Sequence, residues 1–263
     1  MNALPSPVFD THAHYDDAAF DPDRGAVLNA LTARCVRVVN AGCDIASSRK
    51  SIALAERVSF VYAACGIHPS SAITATPQAL AELEDLLKHP KCVALGEIGL
   101  DYHYPTPARE VQRAAFAAQL EIAARADKPV IVHNREAHGD TMEMVRKYRT
   151  TPLRGVFHCF SGSADMAREL ADMGWYIGFA GPLTYKNAPR LRAVASAIPR
   201  GRALLETDAP YLPPQSRRGQ RCDSSMLTET AAALAEVWGI SAEAALLQTY
   251  CNGVDFYGQG AGL

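Results

Sequence analysis

The chain has 263 residues, 48% of them hydrophobic and 21% charged, with a net charge of -2 when histidine is neutral. That excludes a disordered chain, and no run approaches the roughly 18 apolar residues of a membrane-spanning helix. The near-neutral balance denies a general electrostatic pull on polynucleotides and argues against a reader of DNA sequence, so a nucleic acid would be held by a local patch or by bound metal.

Short apolar, β-branched runs alternate with helical stretches from one end to the other. The runs read as strands are VFDTH (8–12), VRVVNAG (36–42), VYAACGI (61–67), VALGEI (93–98), PVIVHN (129–134), GVFHCF (155–160), WYIGFAG (175–181) and ALLETD (203–208). Between them, Asp21-Pro22, Thr76-Pro77 and Thr106-Pro107 each place a capping side chain before a first-turn proline. The helix after Pro107 carries Val111, Ala115, Ala118 and Ile122 as one apolar stripe, with Arg113, Glu121 and Arg125 left for solvent. SMLTETAAALAEVWG and SAEAALLQTY follow the last strand, and Asn252 and Phe256 near the end read as helix capping and packing. Eight βα units in this length predict an α/β fold, a (β/α)8 TIM barrel forming a single domain over 1–263. No GxGxxG follows a strand, which weakens a dinucleotide-binding sheet.

Composition adds two further expectations. The start lacks the basic and apolar regions of a leader, so the protein is expected in the cytoplasm. The seven cysteines (35, 43, 65, 92, 159, 222, 251) are odd in number and include no CxxC pair, as expected of reduced thiols acting mostly as small buried hydrophobes.

Buried parallel strands should be almost wholly apolar, so polar groups at their ends need a reason. His12 and His14 end the first strand, His68 follows the third, Glu97 sits in the fourth and His103 follows it. His133 closes the fifth strand, His158 lies in the sixth and Asp208 ends the eighth; His89 and His138 alone fall on helical segments. In a barrel all these ends meet at one mouth. Four imidazoles (His12, His14, His133, His158) with Glu97 and Asp208 form a nitrogen and oxygen donor set suited to divalent ions, and Glu97 is placed to bridge two of them. Asp10 is expected to orient a histidine without touching metal. Asp101, Tyr102 and His103 are candidates to line the pocket. Cys159 should point away from its neighbour His158 and reads as packing.

DTHAHYDD, CGIHP, LGEIGLDY, VIVHNREA, FHCFSG and LLETDAPYL, spread over residues 8–212, resemble the TatD-type metal-dependent deoxyribonucleases of the amidohydrolase-like barrel superfamily. The resemblance implies two ions, one among His12, His14, Glu97 and Asp208 and the other among Glu97, His133 and His158. It also implies 3′-to-5′ exonuclease action on DNA, with short or single-stranded 3′ ends as the substrate. Many members carry Asn-Glu-Pro after the TDAPYL motif. This chain instead reads GQRCDSSML, with Cys222, Asp223 and Ser224 in that place, which leaves the ligand set complete and alters the pocket rim.

On this reading two divalent ions (Mg, Mn or Zn) generate hydroxide and neutralise phosphate charge, with Glu97 setting their separation and Asp208 as general base. His68 and Arg135 are candidates to hold phosphate oxygens. Arg217, Arg218 and Arg221 are candidates to follow the strand, and Tyr102, Tyr104, Tyr185 and Tyr211 to stack on a terminal base. The alternative is a hydrolase of a small ester or amide, or of aminoacyl-tRNA, on the same site; a non-catalytic metal-binding barrel is more remote. None of the six lysines lies at a strand end, which disfavours relatives that bridge their metals through a carboxylated lysine. No membrane and no obligatory protein partner are expected.

Overall fold

The computed structural model describes residues 7–32 and 36–258. Cys35 lies outside them, as do the ends of the expected 1–263 domain. Eight strands appear where the apolar runs predict them: β1 (Val8–Ala13), β2 (Val36–Ala41), β3 (Val61–Cys65), β4 (Cys92–Asp101), β5 (Val130–Arg135), β6 (Gly155–Phe157), β7 (Tyr176–Phe179) and β8 (Ala203–Leu205). They pair in parallel and in chain order, as one sheet. Its two edges meet near the top of β1, where Ala13 bridges Ala209, the His14 N–H donates to the Ala209 carbonyl (2.7 Å) and the Asp208 N–H donates to that of His12 (2.9 Å). The result is a (β/α)8 barrel.

Helices follow the strands: α1 (Arg24–Thr32), α2 (Ile45–Arg57), α3 (Pro77–Leu86), α4 (Arg109–Ala126), α5 (His138–Arg146), α6 (Ala164–Asp172), α7 (Pro189–Ala197), α8 (Leu227–Trp238) and α9 (Ala242–Gly258). Of the three expected caps only Thr76 acts as one, accepting from the Ala79 N–H with Pro77 in the first turn. Asp21 instead takes the Arg24 guanidinium (2.6 Å), and α4 starts two residues after Pro107 without a side-chain cap. The stripe expected on α4 is also corrected. Val111 is exposed, and the buried face includes Gln112 and Gln119 beside Ala115, Phe116, Leu120, Ile122 and Ala123. Asn252 is not a cap either: it lies inside α9, and its amide donates to the carbonyls of Arg200 and Ala203 (2.7 Å each), tying α9 to β8.

Two apolar clusters divide the core. The larger fills the layer between sheet and helices and contains the fully buried Trp175. The smaller takes a residue from every strand, including Phe9, Val39, Ala64, Ala94, Ile131, Val156, Tyr176 and Leu204, and is therefore the barrel interior. Phe256 and Tyr257 of α9 join it and close the end opposite the strand C-termini, Phe256 lying 4.9 Å from the Tyr176 ring centroid. Because side chains alternate along a strand, Ile131 and Val156 in this layer put His133 and His158, two residues on, inside the barrel at the next level.

Phe256→Ala removes one of the two aromatic rings of that plug and is expected to lower unfolding free energy by about 3–5 kcal/mol, read as a shifted urea midpoint at unchanged slope.

Candidate metal centre at the barrel mouth

The site is assembled around β4. Gly99 has φ +142, and a Cβ there would stand 2.0 Å from the His133 carbonyl oxygen. Only glycine lets β4 lie this close to β5, and that approach brings Glu97 to His133. The buried glutamines of α4 brace the surrounding backbone. Gln112 accepts from the Asp101 N–H (2.8 Å) and donates to its carbonyl (2.9 Å), while Gln119 makes the same pair with Ile67 (2.8 and 3.0 Å), just before His68.

Glu97 is buried, and its two oxygens face two sets of rings. Oε2 lies 3.3 Å from His12 Nε2 and 3.6 Å from His14 Nε2, with Asp208 Oδ1 3.6 and 3.3 Å from the same two nitrogens. Oε1 lies 2.8 Å from both His133 Nδ1 and His158 Nε2, and 3.6 Å from His68 Nε2. The six ligands expected from the sequence are thus brought together, and His68, expected to hold phosphate, stands among the donors of the second set. Burial disfavours the charged form of Glu97, yet His158, His68 and His12 outweigh it and hold its carboxyl well below the usual range. Burial likewise opposes ionisation of Asp208, and His14, His158 and His12 reverse it. Burial lowers His68 to about 4, keeping it a neutral ring.

Ring orientation tests whether the donors suit a cation. His14 Nδ1 lies 2.8 Å from the Ala41 carbonyl, which can only accept, so the ring hydrogen sits there and Nε2 turns a lone pair on the cluster. His133 has Nε2 3.3 Å from Asp101 Oδ2, which likewise leaves Nδ1 for the cluster. Lone pairs of separate rings converging with two carboxylates fit a divalent cation.

Asp101 is accordingly corrected from a pocket wall to a buried group that accepts from the His103 N–H (2.9 Å) and holds His133. Asp10 touches no imidazole. It accepts from the Thr207 hydroxyl (2.6 Å) and N–H (3.0 Å), the Ser224 hydroxyl (2.6 Å) and the His12 N–H (3.4 Å), fastening β1 to the segment that carries Asp208. Burial raises its carboxyl to about 7. Ser224, in the segment that departs from Asn-Glu-Pro, also receives the Tyr15 hydroxyl at 2.7 Å, so the substituted stretch serves the frame of the site. Asp208 itself has φ +59, a left-handed conformation costly for a non-glycine residue and concentrated at functional sites.

A cavity of about 590 Å³ opens over these groups, its wall including Asn134, Arg135, Cys159, Ser161, Tyr211 and Leu212. Cys159 is half-buried on that wall, with φ +42, and does not pack away from it. Tyr102 and His103 are directed elsewhere: the Tyr102 hydroxyl donates to Asp140 (2.6 Å), and His103 pairs with Glu136 (2.8 Å). The Arg135 guanidinium lies 5.5 Å over the Tyr104 ring. Of the basic loop, Arg221 is engaged by Asp23 (2.7 Å) and Arg217 by Glu229 (3.2 Å), while Arg218 lies 4.9 Å over Tyr185.

Comparison with known proteins gives the family. Residues 9–258 match the family model described as TatD related DNase. The chain belongs to that family. It is 38% identical to the metal-dependent hydrolase YabD of Bacillus subtilis over 88% of this chain and 91% of that protein. It is also 38% identical to a protein of Edwardsiella piscicida named 3′-5′ ssDNA/RNA exonuclease TatD, over 78% and 83% of the two chains. The crystal structure of YjjV, a TatD homolog from Escherichia coli, superposes with a TM-score of 0.89 at 31% identity, covering 95% of this chain and 98% of that one. The chain is a metal-dependent hydrolase of the TatD family.

The sequence reading missed Gln112 and Gln119, whose signal is a pair of amides seven apart on an otherwise apolar helix face, and Glu206, a carboxylate in the apolar run ALLETD. Ser224→Ala strips a donor from Asp10 and is expected to cost about 1–3 kcal/mol of stability, seen in urea unfolding.

Proposed function

We propose that the chain is a two-metal phosphodiester hydrolase that removes nucleotides from the 3′ ends of DNA. The observation that carries the reading is the division of Glu97, one oxygen facing His12 and His14 and the other His133 and His158. Two divalent ions, Mg, Mn or Zn, would be held on the two sides of this carboxylate, the first with Asp208. Bound there, they would supply Lewis acidity for activating water and neutralising phosphate charge.

The chain's own groups then have distinct tasks. Glu97 joins the two halves and, at 4% side-chain exposure, is shielded from solvent, whereas Asp208 keeps 16% and meets the cavity. Held ionised by the imidazoles around it, Asp208 is able to accept a proton from water entering the mouth and acts as the general base. Arg135, on the cavity wall, offers a permanent positive charge to a phosphate oxygen. The neutral His68 ring offers a hydrogen-bond donor or a further ligand. The cavity volume lies in the range that holds a small ligand, which fits a strand terminus and makes a broad basic surface unnecessary. The exonuclease named in the Edwardsiella relative supports the choice of nucleic acid over a small ester.

The test uses a single-stranded DNA labelled at its 5′ end, incubated with Mg or Mn and resolved on a denaturing gel. A ladder shortening from the 3′ end is expected, abolished by chelation and reduced about 10²–10⁴-fold in kcat by Asp208→Asn, the range a lost general base accounts for. DNA left intact with every ion, while the protein still binds two, would transfer the site to RNA, aminoacyl-tRNA or a small ester.

A further inference from the structure

Two of the rings in the site are oriented by acceptors behind them, His14 by the Ala41 carbonyl and His133 by Asp101. His158 presents Nε2 to Glu97, and its Nδ1 is buried with no hydrogen-bond partner among the described residues. The acceptor facing it is Glu206 Oε1, at 3.7 Å. Glu206 follows Leu204 of the interior cluster by two residues and precedes Asp208 by two, so on strand alternation it occupies the level between the apolar plug and the donors. Its side chain is 1% exposed; Oε1 accepts from the Cys159 N–H, and Oε2 has no partner among the described residues.

The barrel makes room for this group at one place. A Cβ on Gly178 of β7 would stand 2.4 Å from Glu206 Oε2 and 2.7 Å from its carboxyl carbon. A carboxyl group removed from water with an unpartnered oxygen is a cost to folding, so its setting calls for a use beyond packing.

We propose that Glu206 is a positioning residue for metal binding. It takes the Nδ1 hydrogen of His158 and so fixes the ring with its Nε2 lone pair on the second ion, held with Glu97 and His133, and Gly178 is the residue that permits it to stand there. This rests on the two-metal reading above. Groups in this position behind a ligating histidine commonly contribute about 10–100-fold in metal affinity.

The full-length protein, stripped with chelator, is titrated with Mn and followed by electron paramagnetic resonance. Wild type is compared with Glu206→Leu, Glu206→Gln and Gly178→Ala, and with Glu206→Leu in a His158→Ala background. The expected result is two ions in wild type, with one weakened about 10–100-fold in Glu206→Leu and less in Glu206→Gln, which keeps an acceptor oxygen. Gly178→Ala, which displaces the carboxyl group, is expected to weaken the same ion, and removing Glu206 should add no loss once His158 is gone. Wild-type affinity in Glu206→Gln, Glu206→Leu and Gly178→Ala overturns the assignment, as does an equal loss with and without the His158 ring. Should Glu206→Leu fail to fold, Glu206→Gln and Gly178→Ala decide it. A wild type that binds no ion brings down the two-metal reading itself, an outcome distinct from equal binding by wild type and variants.

Discussion

Everything at the mouth of this barrel is arranged around one buried carboxylate with imidazoles on both sides. An acid group taken out of water is expensive unless positive charge or hydrogen-bond donors replace the solvent. Around Glu97 the replacement comes from five rings supplied by β1, β5 and the segments that follow β1, β3 and β6. Those elements are distant in sequence, and only a closed parallel sheet, in which every strand ends on the same rim, puts them within reach of one another. The site therefore depends on barrel closure, and the hydrogen bonds that close it are made by His14, Asp208 and His12. The joint that completes the fold and the groups proposed to do the chemistry share the same few residues.

A graded interior supports this arrangement. At the lower end the strands contribute a continuous apolar cluster, closed by the aromatic residues of α9. Above them lies the buried carboxyl group of Glu206, and above it the donors themselves, while Asp10 and Thr207, next in the chain to Phe9 and Glu206, are buried on the other face of the sheet. Polar groups inside a protein specify orientation when satisfied and are costly when not. Asp10, with donors from two segments of the chain, is well satisfied. Its four bonds explain how a stretch unlike Asn-Glu-Pro can serve: Ser224 reaches the same carboxylate that Thr207 holds.

Much of this was legible in the residues. Strand positions followed from apolar runs bounded by turns, because burial on both faces leaves no other pattern available. The donors followed from polar groups placed where buried strands should have none. What escaped was set by contacts between elements, to which a one-dimensional pattern is blind. Val111 fits the apolar stripe of α4 by spacing, yet that helix turns its glutamines inward because Asp101 and Ile67 present backbone groups there. Asp101 and Tyr102 are neighbours in the chain and look alike as loop residues after a strand, but one meets His133 and the other Asp140. Asp10 shares a strand with His12, and its partners come from β8's far end and from the segment before α8, nearly two hundred residues away or more.

The plug formed by Phe256 and Tyr257 bears on traffic as well as on stability. With that end filled by aromatic side chains, the barrel is a blind vessel, and whatever reaches the donors at the rim arrives and departs on the same side. A substrate entering and a product leaving must share one doorway, about which Arg135, Ser161, Tyr211 and Leu212 are placed. Turnover in such a vessel alternates by necessity between filling and emptying, and side chains at the doorway can govern pace without touching the bond that breaks.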